Sequence, residues 1–209
     1  MVFDITLAVV AVVGYLVGSL PFGYLVAKAN GVDIFTVGSC SPGATNVKRS
    51  VGKKAGNLVF LLDYVKGLLA TGWPLFLGAQ SYELYIYGLI GLVAAVVGHS
   101  FSIFTKFRGG KGVATMLGGV TALMYVAALV GIVIWLIVFY ASRYVSLASI
   151  LMAVSLPITN YVLGVSAPLF WFSVVLAVVI VVRHKSNIVR LMHGEENRFD
   201  RKAKSESSN

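Results

Sequence analysis

Two glycine-rich stretches that carry cations have the composition of anion-binding loops. The first, residues 38–46, is followed by Arg49, and the second, residues 98–115, contains Lys111 between glycines. Glycines let the backbone approach a ligand closely, and small residues let consecutive N–H groups point at an anion. Arg49 adds a fork of donors, and a helix starting after the second loop adds its N-terminal dipole. The chemistry that these residues favour is the binding of phosphate.

Neither stretch is decisive alone. An isolated Gly/Ser-rich run is usually only a loop. The second stretch is not a nucleotide-binding P-loop, because no glycine precedes Gly110 by five residues. Polar residues also follow a long apolar stretch at 183–187, which reads Arg-His-Lys-Ser-Asn. Membrane topology alone predicts basic residues there, whereas His184 and Asn187 are less expected.

Asp63 and Lys66 lie within an apolar stretch and are three residues apart. This spacing puts both side chains on one face of a helix, where they can pair and avoid the full cost of charge in lipid. The pair either supports a functional site or fixes the packing of neighbouring helices. The sequence leaves both interpretations open.

The sequence predicts no metal site and no cofactor. The three histidines are scattered and lack the ligand spacing of a zinc site, and the single cysteine, Cys40, cannot form an intrachain disulfide. None of the histidines is followed by Asp five residues later, so the His-x4-Asp dyad of the acyltransferases with large soluble heads is absent. No nucleic-acid partner is expected.

The elements that position these residues must lie in a membrane. The chain has 209 residues, of which 58% are hydrophobic and 12% charged, and its mean hydropathy is +0.87. So few polar side chains cannot cover a soluble globule. We therefore predict an all-α, polytopic integral membrane helical bundle. Six apolar stretches are long enough to cross about 30 Å of hydrocarbon, namely residues 3–27, 55–78, 82–104, 113–141, 145–164 and 167–182.

The distribution of charge predicts the orientation. Lysine and arginine cluster between the first and second stretches, between the third and fourth, and in the C-terminal tail. By the positive-inside rule these segments are cytoplasmic and the N-terminus is outside. Residues 1–194 are predicted to form a single transmembrane catalytic domain. Residues 195–209 are polar and are predicted to form a disordered cytoplasmic tail.

The stretch 113–141 is predicted to cross the membrane twice. An even number of crossings must separate the second basic loop from the tail, yet three apolar stretches lie between them. As one helix the stretch would be about 43 Å long, and Gly118, Gly119 and Gly131 offer breaks. This predicts seven transmembrane helices, some short or broken, with Arg143 inside. The alternative is one long tilted helix there, with Arg143 outside and a last segment that does not cross.

Together the motifs resemble the bacterial acyl-phosphate:glycerol-3-phosphate acyltransferase family. The resemblance rests on six runs in order along the chain: GSLPFG at 18–23, GATN at 43–46 with Arg49, LLDxxKG at 61–67, GHxF and GGKGVAT within 98–115, SRYVS at 142–146 and RHKSNI at 183–188. Two departures stand out. The family usually has Gly-Ser-Gly-Asn where this chain has Gly-Ser-Cys-Ser at 38–41, and it commonly has Lys and Pro in place of Arg108 and Ser102.

The resemblance implies transfer of a fatty acyl group from acyl phosphate to the 1-hydroxyl of sn-glycerol 3-phosphate. The products would be lysophosphatidic acid and phosphate, in the first acylation step of phospholipid synthesis. An acyl phosphate is already activated, so positioning and charge stabilisation can replace a strong nucleophile. The implied location is the bacterial inner membrane, with the active site facing the cytoplasm. The implied partners are acyl phosphate, glycerol 3-phosphate, membrane lipid and the soluble enzyme that makes acyl phosphate.

The candidate site residues fall into three groups. The predicted catalytic residues are Ser39, Arg49, Lys111, Ser142, His184 and Asn187. The predicted substrate-binding residues are Gly38, Ser41, Gly43, Thr45, Asn46, His99, Arg108, Gly109, Gly110, Gly112, Arg143, Arg183 and Glu196. Asp63 and Lys66 are predicted to support the site. No carboxylate is plainly placed as a base, so the departing phosphate is the candidate acceptor of the hydroxyl proton.

A small organic-anion transporter is the rival interpretation. It too would show helices broken by glycine, a buried ion pair and basic cytoplasmic mouths. Such transporters commonly contain two related halves, and no repeat relates residues 1–104 to 105–209. A structural membrane subunit, the third interpretation, would leave the cytoplasmic motifs unexplained.

Overall fold

A computed structural model describes residues 5–74 and 81–199 of the chain. These residues form ten α-helices and contain no β-strand, which confirms the all-α prediction. The helices are α1 (Ile5–Ser19), α2 (Phe22–Ala29), α3 (Ala44–Ser50), α4 (Lys53–Gly72), α5 (Ser81–Ser100), α6 (Val113–Leu123), α7 (Tyr125–Ser142), α8 (Val145–Val162), α9 (Ala167–Arg183) and α10 (Lys185–Met192). A 3-10 turn, Ile103–Thr105, follows α5.

The chain divides into two compact units, unit 1 (Met1–Leu129) and unit 2 (Val130–Asn209). In unit 1, α1 packs on α5 and α4 packs on α6. Small residues allow both pairs to come close: Gly18 lies against the backbone of Ala95, and Gly67 lies against the carbonyl of Thr115. Close packing through small residues is how membrane helices associate without a hydrophobic driving force between them. In unit 2, α8 packs against α9 and α10.

The first apolar stretch, predicted to run over 3–27, is broken between α1 and α2 at Leu20 and Pro21. Proline disfavours the α conformation for the residue before it and has no N–H to donate. The break leaves the Leu20 carbonyl available to a side chain, and Lys66 Nζ donates to it at 2.9 Å. The proline of the GSLPFG run thereby connects α1 to α4.

The stretch 113–141 is broken as predicted, but at a different residue. Helix α6 ends at Leu123 and α7 begins at Tyr125, with Met124 between them at φ −142° and ψ 56°. Gly118, one of the glycines expected to break the helix, instead packs against the carbonyl of Tyr64 on α4. The alternative of one long tilted helix over 113–141 is therefore wrong.

Four helical segments of the described residues are long and apolar enough to cross a membrane. They are Ile5–Ala29, Tyr85–Thr105, Tyr125–Ser142 and Val145–Val162, and α9 with α10, bent by 60°, becomes a fifth if the pair counts as one span. Large apolar side chains are exposed on these segments, including Val12, Ile137 and Val178. Such faces suit lipid as the surrounding solvent. The count of seven crossings and the orientation stay predictions, and residues 75–78 of the second predicted stretch lie outside the described residues.

The start of the predicted disordered tail, 195–209, needs correction. Glu196 is buried, and the Phe199 N–H donates to the carbonyl of Arg143 at 3.0 Å. The Phe199 ring also lies 6.0 Å from that of Phe139. Residues 195–199 therefore pack within unit 2, because a buried carboxylate and an aromatic ring find partners there. The rest of the predicted tail, 200–209, lies outside the described residues.

Candidate functional site

Asn46 holds the first glycine-rich loop together. Its side-chain Oδ1 accepts the Ser39 N–H at 3.0 Å, and its Nδ2 donates to the carbonyls of Val37 and Ser41, each at 3.0 Å. The residue is only 3% exposed. The role of Asn46 in substrate binding stays a prediction, and in the structure its amide bonds the loop backbone. Asn46 is thus a positioning residue that shapes the loop.

Gly38 and Cys40, on either side of Ser39, both have left-handed backbone conformations. Gly38 has φ 58°, and a β-carbon there would collide with Asn46 Oδ1. Cys40 has φ 52° although it carries a β-carbon, and a left-handed conformation costs such a residue roughly 1–2 kcal/mol. The family's usual glycine at this position would avoid that cost. The departure noted in the sequence is therefore a strained position, and the exposed Ser39 lies between two such turns.

Cys40→Gly is expected to raise the free energy of unfolding by about 0.5–1 kcal/mol, because the relieved strain exceeds the extra chain entropy of glycine in the unfolded state. In a chain of this size that corresponds to roughly 1–4 °C in melting temperature. Thermal unfolding of the detergent-solubilised protein measures it. Cys40→Ser keeps the β-carbon and is the matched control. Equal melting temperatures for the glycine and serine variants would contradict the strain argument.

A buried charge cluster in unit 1 joins α4, α5 and the end of α1. Asp63 Oδ1 lies 2.8 Å from Lys66 Nζ and 3.6 Å from His99 Nδ1. The side chains of Asp63 and Lys66 are each 3% exposed, and that of His99 is 8% exposed. This confirms that Asp63 and Lys66 pair, and the sequence did not predict that His99 would join them. Lys66 also bonds the Leu20 carbonyl.

The glycine loop that begins at Gly109 packs directly on His99. The Gly110 N–H donates to the His99 carbonyl at 3.2 Å. A β-carbon on Gly109 would meet that carbonyl, and one on Gly110 would meet the imidazole at Nε2. Only glycine allows the loop to lie this close. The Asp63 cluster, which consists of Asp63, Lys66 and His99, therefore supports residues 109–110 through His99.

The two glycine-rich loops each lead into a helix. Thr45 and Arg49 lie on α3 at the end of the first loop, and Lys111 and Gly112 lie just before α6 in the second. Arg49 lies in the last turn of α3 and is exposed, while Thr45 lies in its first turn and is half-buried. Lys111 is half-buried and directly precedes Gly112, the residue at φ 81° after which α6 begins. Its position supports the prediction of a cation at the N-terminus of a helix, where the backbone dipole also favours an anion.

The guanidinium of Arg108 stacks on the ring of Phe35. Its guanidinium carbon is 4.2 Å from the centre of the Phe35 ring, and one of its nitrogens approaches the Phe35 carbonyl at 3.5 Å. The predicted role of Arg108 in substrate binding is not evident from this arrangement. The exchange of the family's usual lysine for arginine has a physical consequence, because guanidinium stacks on aromatic rings better than ammonium does.

In unit 2, Glu196 is the acceptor at the centre of a polar cluster. Its Oε1 accepts from Asn187 Nδ2 at 2.7 Å and from Ser146 Oγ at 2.8 Å, and its Oε2 accepts from Arg190 Nε at 2.8 Å. The role of Glu196 in substrate binding stays a prediction. In the structure its carboxylate orients the side chain of Asn187. Ser146 and Arg190 were missed, and only the SRYVS run and the helical spacing of Asn187 and Arg190 pointed to them.

Burial by itself would raise the pKa of Glu196. The hydrogen bonds from Asn187 and Ser146, and the hydrogen bond and charge of Arg190, outweigh it and bring the pKa below its ordinary value of 4.5. A carboxyl whose pKa is lower in the folded state stabilises the fold above its unfolded-state pKa, and this contribution is lost as the pH falls through the folded-state pKa.

Glu196→Gln is expected to lower the free energy of unfolding by about 1–3 kcal/mol at pH 7, because charge-assisted hydrogen bonds are lost. As the pH falls below 4.5, the ordinary pKa of the carboxyl, the difference from the wild type should shrink, since the wild-type carboxyl becomes protonated too. Melting curves of both proteins between pH 3.5 and pH 7 measure this. A difference that does not change with pH would show that Glu196 carries no charge-dependent contact.

The other predicted residues of unit 2 lie around the ends of α7 and α9. Ser142 Oγ donates to the Val138 carbonyl at 2.7 Å, and Arg143, at φ 67°, forms the turn into α8. His184 is 3% exposed and its Nδ1 donates to the Ile180 carbonyl at 2.8 Å. Arg183 ends α9 beside it and is half-buried.

Each unit by itself has groups suited to charge stabilisation. Unit 1 holds two shaped loops and the cations Arg49 and Lys111. Unit 2 holds the imidazole of His184 and the amide of Asn187, which Glu196 orients. Across residues 5–74 and 81–199, no three His, Cys, Asp or Glu side chains come together in a way that could hold a metal ion. The described side chains thus supply positive charge and hydrogen bonds for anionic ligands.

Known proteins resemble this chain over nearly its whole length. Residues 8–194 match the family model of glycerol-3-phosphate acyltransferase. A glycerol-3-phosphate acyltransferase of Endomicrobium trichonymphae is 45% identical over 189 residues, which cover 90% of this chain and 93% of the relative. One from Aquifex aeolicus is 43% identical over 187 residues, covering 88% and 95%.

Two crystal structures also match. They are of PlsY (YgiH), an integral membrane glycerol 3-phosphate acyltransferase. Its glycerol 3-phosphate form has a TM-score of 0.86 and 39% identity, and the match covers 93% of this chain and 96% of that one. Its lysophosphatidic acid form has a TM-score of 0.83 and 38% identity, with coverage of 93% and 95%.

Proposed function

The chain belongs to the glycerol-3-phosphate acyltransferase family, and we propose that it transfers a fatty acyl group from an acyl phosphate to the 1-hydroxyl of sn-glycerol 3-phosphate. The chain is an integral membrane acyltransferase. The observation that carries the proposal is the glycine loop at 109–112, packed on His99 and leading into the N-terminus of α6 beside Lys111. Both proposed substrates carry a phosphate group that such a loop can bind.

The proposed reaction needs no covalent enzyme intermediate. The glycerol hydroxyl oxygen attacks the acyl carbon, the bond from that carbon to the phosphate oxygen breaks, and phosphate leaves with both electrons of the bond. The departing phosphate takes the hydroxyl proton, so the products are lysophosphatidic acid and hydrogen phosphate. Negative charge develops on the acyl oxygen in the transition state, and fixed donors and cations stabilise it.

Roles for the candidate residues follow from their chemistry. We assign phosphate and oxyanion stabilisation to Ser39, Arg49, Lys111 and the backbone of residues 109–112. Asn46 and the Asp63 cluster position the two loops in this assignment. In unit 2 we assign orientation of the glycerol 3-phosphate hydroxyl to His184, whose ring is held by the hydrogen bond from Nδ1 to the Ile180 carbonyl.

The proposal includes a cellular setting. We place the chain in the bacterial inner membrane with seven crossings, the N-terminus outside and the active site facing the cytoplasm. The positions of the basic loops support this orientation. The water-soluble substrate then arrives from the cytoplasm and the acyl chain from the lipid. The soluble enzyme that makes acyl phosphate is the proposed supplier of the donor.

Purified protein in lipid nanodiscs, given palmitoyl phosphate and glycerol 3-phosphate, is expected to release phosphate and lysophosphatidic acid in equal amounts. Palmitoyl-CoA in place of palmitoyl phosphate should give no product, because the leaving group that the site is proposed to bind is absent. Phosphate release and lipid extraction with mass spectrometry measure both products. Product from palmitoyl-CoA alone would overturn the donor assignment, and no product from either donor in folded protein would favour the transporter interpretation.

A further inference from the structure

Unit 1 has a basic groove whose lining includes none of the residues to which we assign the proposed reaction. Its volume is about 570 Å³, which is in the range of ligand-binding pockets. Three cationic and three aromatic side chains are among the residues that line it: Lys28, Lys106, Arg108, Tyr24, Phe35 and Phe104. The groove lies between α2, the loop that follows α2, and the turn after α5.

Two of the cations are held by a stack of aromatic rings. The rings of Tyr24 and Phe35 are stacked with their centres 5.8 Å apart. Lys28 Nζ lies 5.7 Å from the centre of the Tyr24 ring, and the Arg108 guanidinium lies 4.2 Å from that of Phe35. Cation–π contacts of this kind orient a cation without neutralising it. The stack therefore fixes two positive charges on the wall of the groove.

The third cation, Lys106, lies in a strained turn. Lys106 and Phe107 both have positive φ, 53° and 61°, although neither is glycine. The Phe107 N–H donates to the Ser102 carbonyl at 2.8 Å and the Arg108 N–H to the Thr105 carbonyl at 3.1 Å. These bonds hold the turn in a conformation that two consecutive side-chain-bearing residues rarely adopt. Lys106 faces the groove as a result.

The charge of the groove is unbalanced. Asp33 is the acidic residue that lines it, against three cations. Its Oδ1 already accepts the Phe35 N–H at 3.0 Å. Like charges in one concave, partly apolar site attract a counter-anion, because such a site focuses their field. The groove therefore suits a ligand with at least one negative charge.

Exposed apolar side chains beside the groove indicate that its negatively charged ligand is a lipid. The apolar segment Tyr85–Thr105 ends at this turn, so the groove lies at the end of a membrane-spanning helix. Around it the side chains of Ile103, Phe104 and Phe107 are 53%, 55% and 61% exposed. Exposed aromatic residues next to cations at this depth are typical of the membrane interface. We propose that this groove binds the phosphate headgroup of an anionic phospholipid, whose acyl chains lie along the exposed apolar residues.

The test is lipid binding by the full-length protein in neutral detergent, followed by native mass spectrometry. The ligands are dioctanoyl phosphatidylglycerol, dioctanoyl phosphatidylcholine and inorganic phosphate. Wild type should bind phosphatidylglycerol more tightly than phosphatidylcholine. Lys28→Gln with Lys106→Gln should weaken the binding of phosphatidylglycerol about 25-fold, since one interfacial lysine contributes roughly fivefold.

The matched control is Lys53→Gln with Lys54→Gln, which removes the same charge from exposed residues at the start of α4. It should weaken the binding of phosphatidylglycerol less than twofold. If the double variant of the groove fails to fold, the exposed Lys106→Gln alone carries the test with an expected fivefold loss. Equal losses in the groove and control variants, no loss in the groove variant, or displacement of the lipid by equimolar inorganic phosphate would each overturn the proposal.

Discussion

Asp63→Asn is expected to lower the free energy of unfolding by about 3–5 kcal/mol, because it leaves the buried ammonium of Lys66 without a counter-charge. The two groups are 2.8 Å apart and nearly inaccessible. Removing one partner of such a pair lowers the free energy of unfolding by far more than the net contribution of the intact pair. The reason is that the remaining buried charge keeps its desolvation penalty. Equilibrium unfolding in mixed dodecyl sulfate micelles measures the change.

The double variant Asp63→Asn with Lys66→Met separates this effect from simple loss of packing. It removes both charges, so most of the lost stability should return. Turnover should not return with it, because the Leu20 carbonyl loses its donor and His99 loses its anionic neighbour beneath the glycine loop. If the single and double variants were equally unstable, the ion pair would not be the source of the effect.

Lys111→Ala is expected to reduce kcat for acyl transfer by at least roughly 10²–10³-fold, the usual cost of losing a group that stabilises charge in the transition state. Lys111 lies between Gly110 and Gly112 at the start of α6, so its charge adds to that of the helix dipole. Phosphate release from palmitoyl phosphate in nanodiscs measures kcat, and thermal unfolding shows that the variant is folded. Arg49→Ala should behave in the same way.

The matched control for Lys111 is Lys54→Ala, which removes a lysine from the exposed start of α4. It should retain turnover within twofold of the wild type. A folded Lys111→Ala protein with turnover within tenfold of the wild type would remove Lys111 from the catalytic residues. A tenfold loss in the control would mean that the net charge of the chain, and not Lys111 itself, determines the rate.

Periodicity, charge distribution and local spacing predicted the features that depend on near neighbours in sequence. The all-α class, the break within 113–141 and the pairing of Asp63 with Lys66 are confirmed. Each rests on local physics: hydrocarbon thickness, the length of a helix, and the helical spacing of residues three apart.

Features that depend on contacts between residues distant in sequence were not predicted. The helix breaks at Met124, whereas Gly118 packs against α4, and composition alone shows neither. Asn46 and Glu196 have the residue types of ligand-binding groups, yet their hydrogen-bonding atoms are engaged with backbone carbonyls and neighbouring side chains. The participation of His99 beside Asp63 depends on the packing of α4 and α5. A single sequence records the residue types in such contacts but not the contacts themselves.

The charge cluster also has a consequence for biogenesis. Helix α4 is not one of the helices of the described residues that are apolar enough to cross a membrane by themselves. A charge at the centre of a helix costs about 2.5–3.5 kcal/mol on insertion by the translocon. Asp63 and Lys66 offset part of this cost by pairing with each other. Their further partners are Leu20, synthesised earlier, and His99, synthesised later. Nascent α4 is therefore expected to stay beside the translocon next to α1 until α5 emerges, so that these helices enter the lipid as a group.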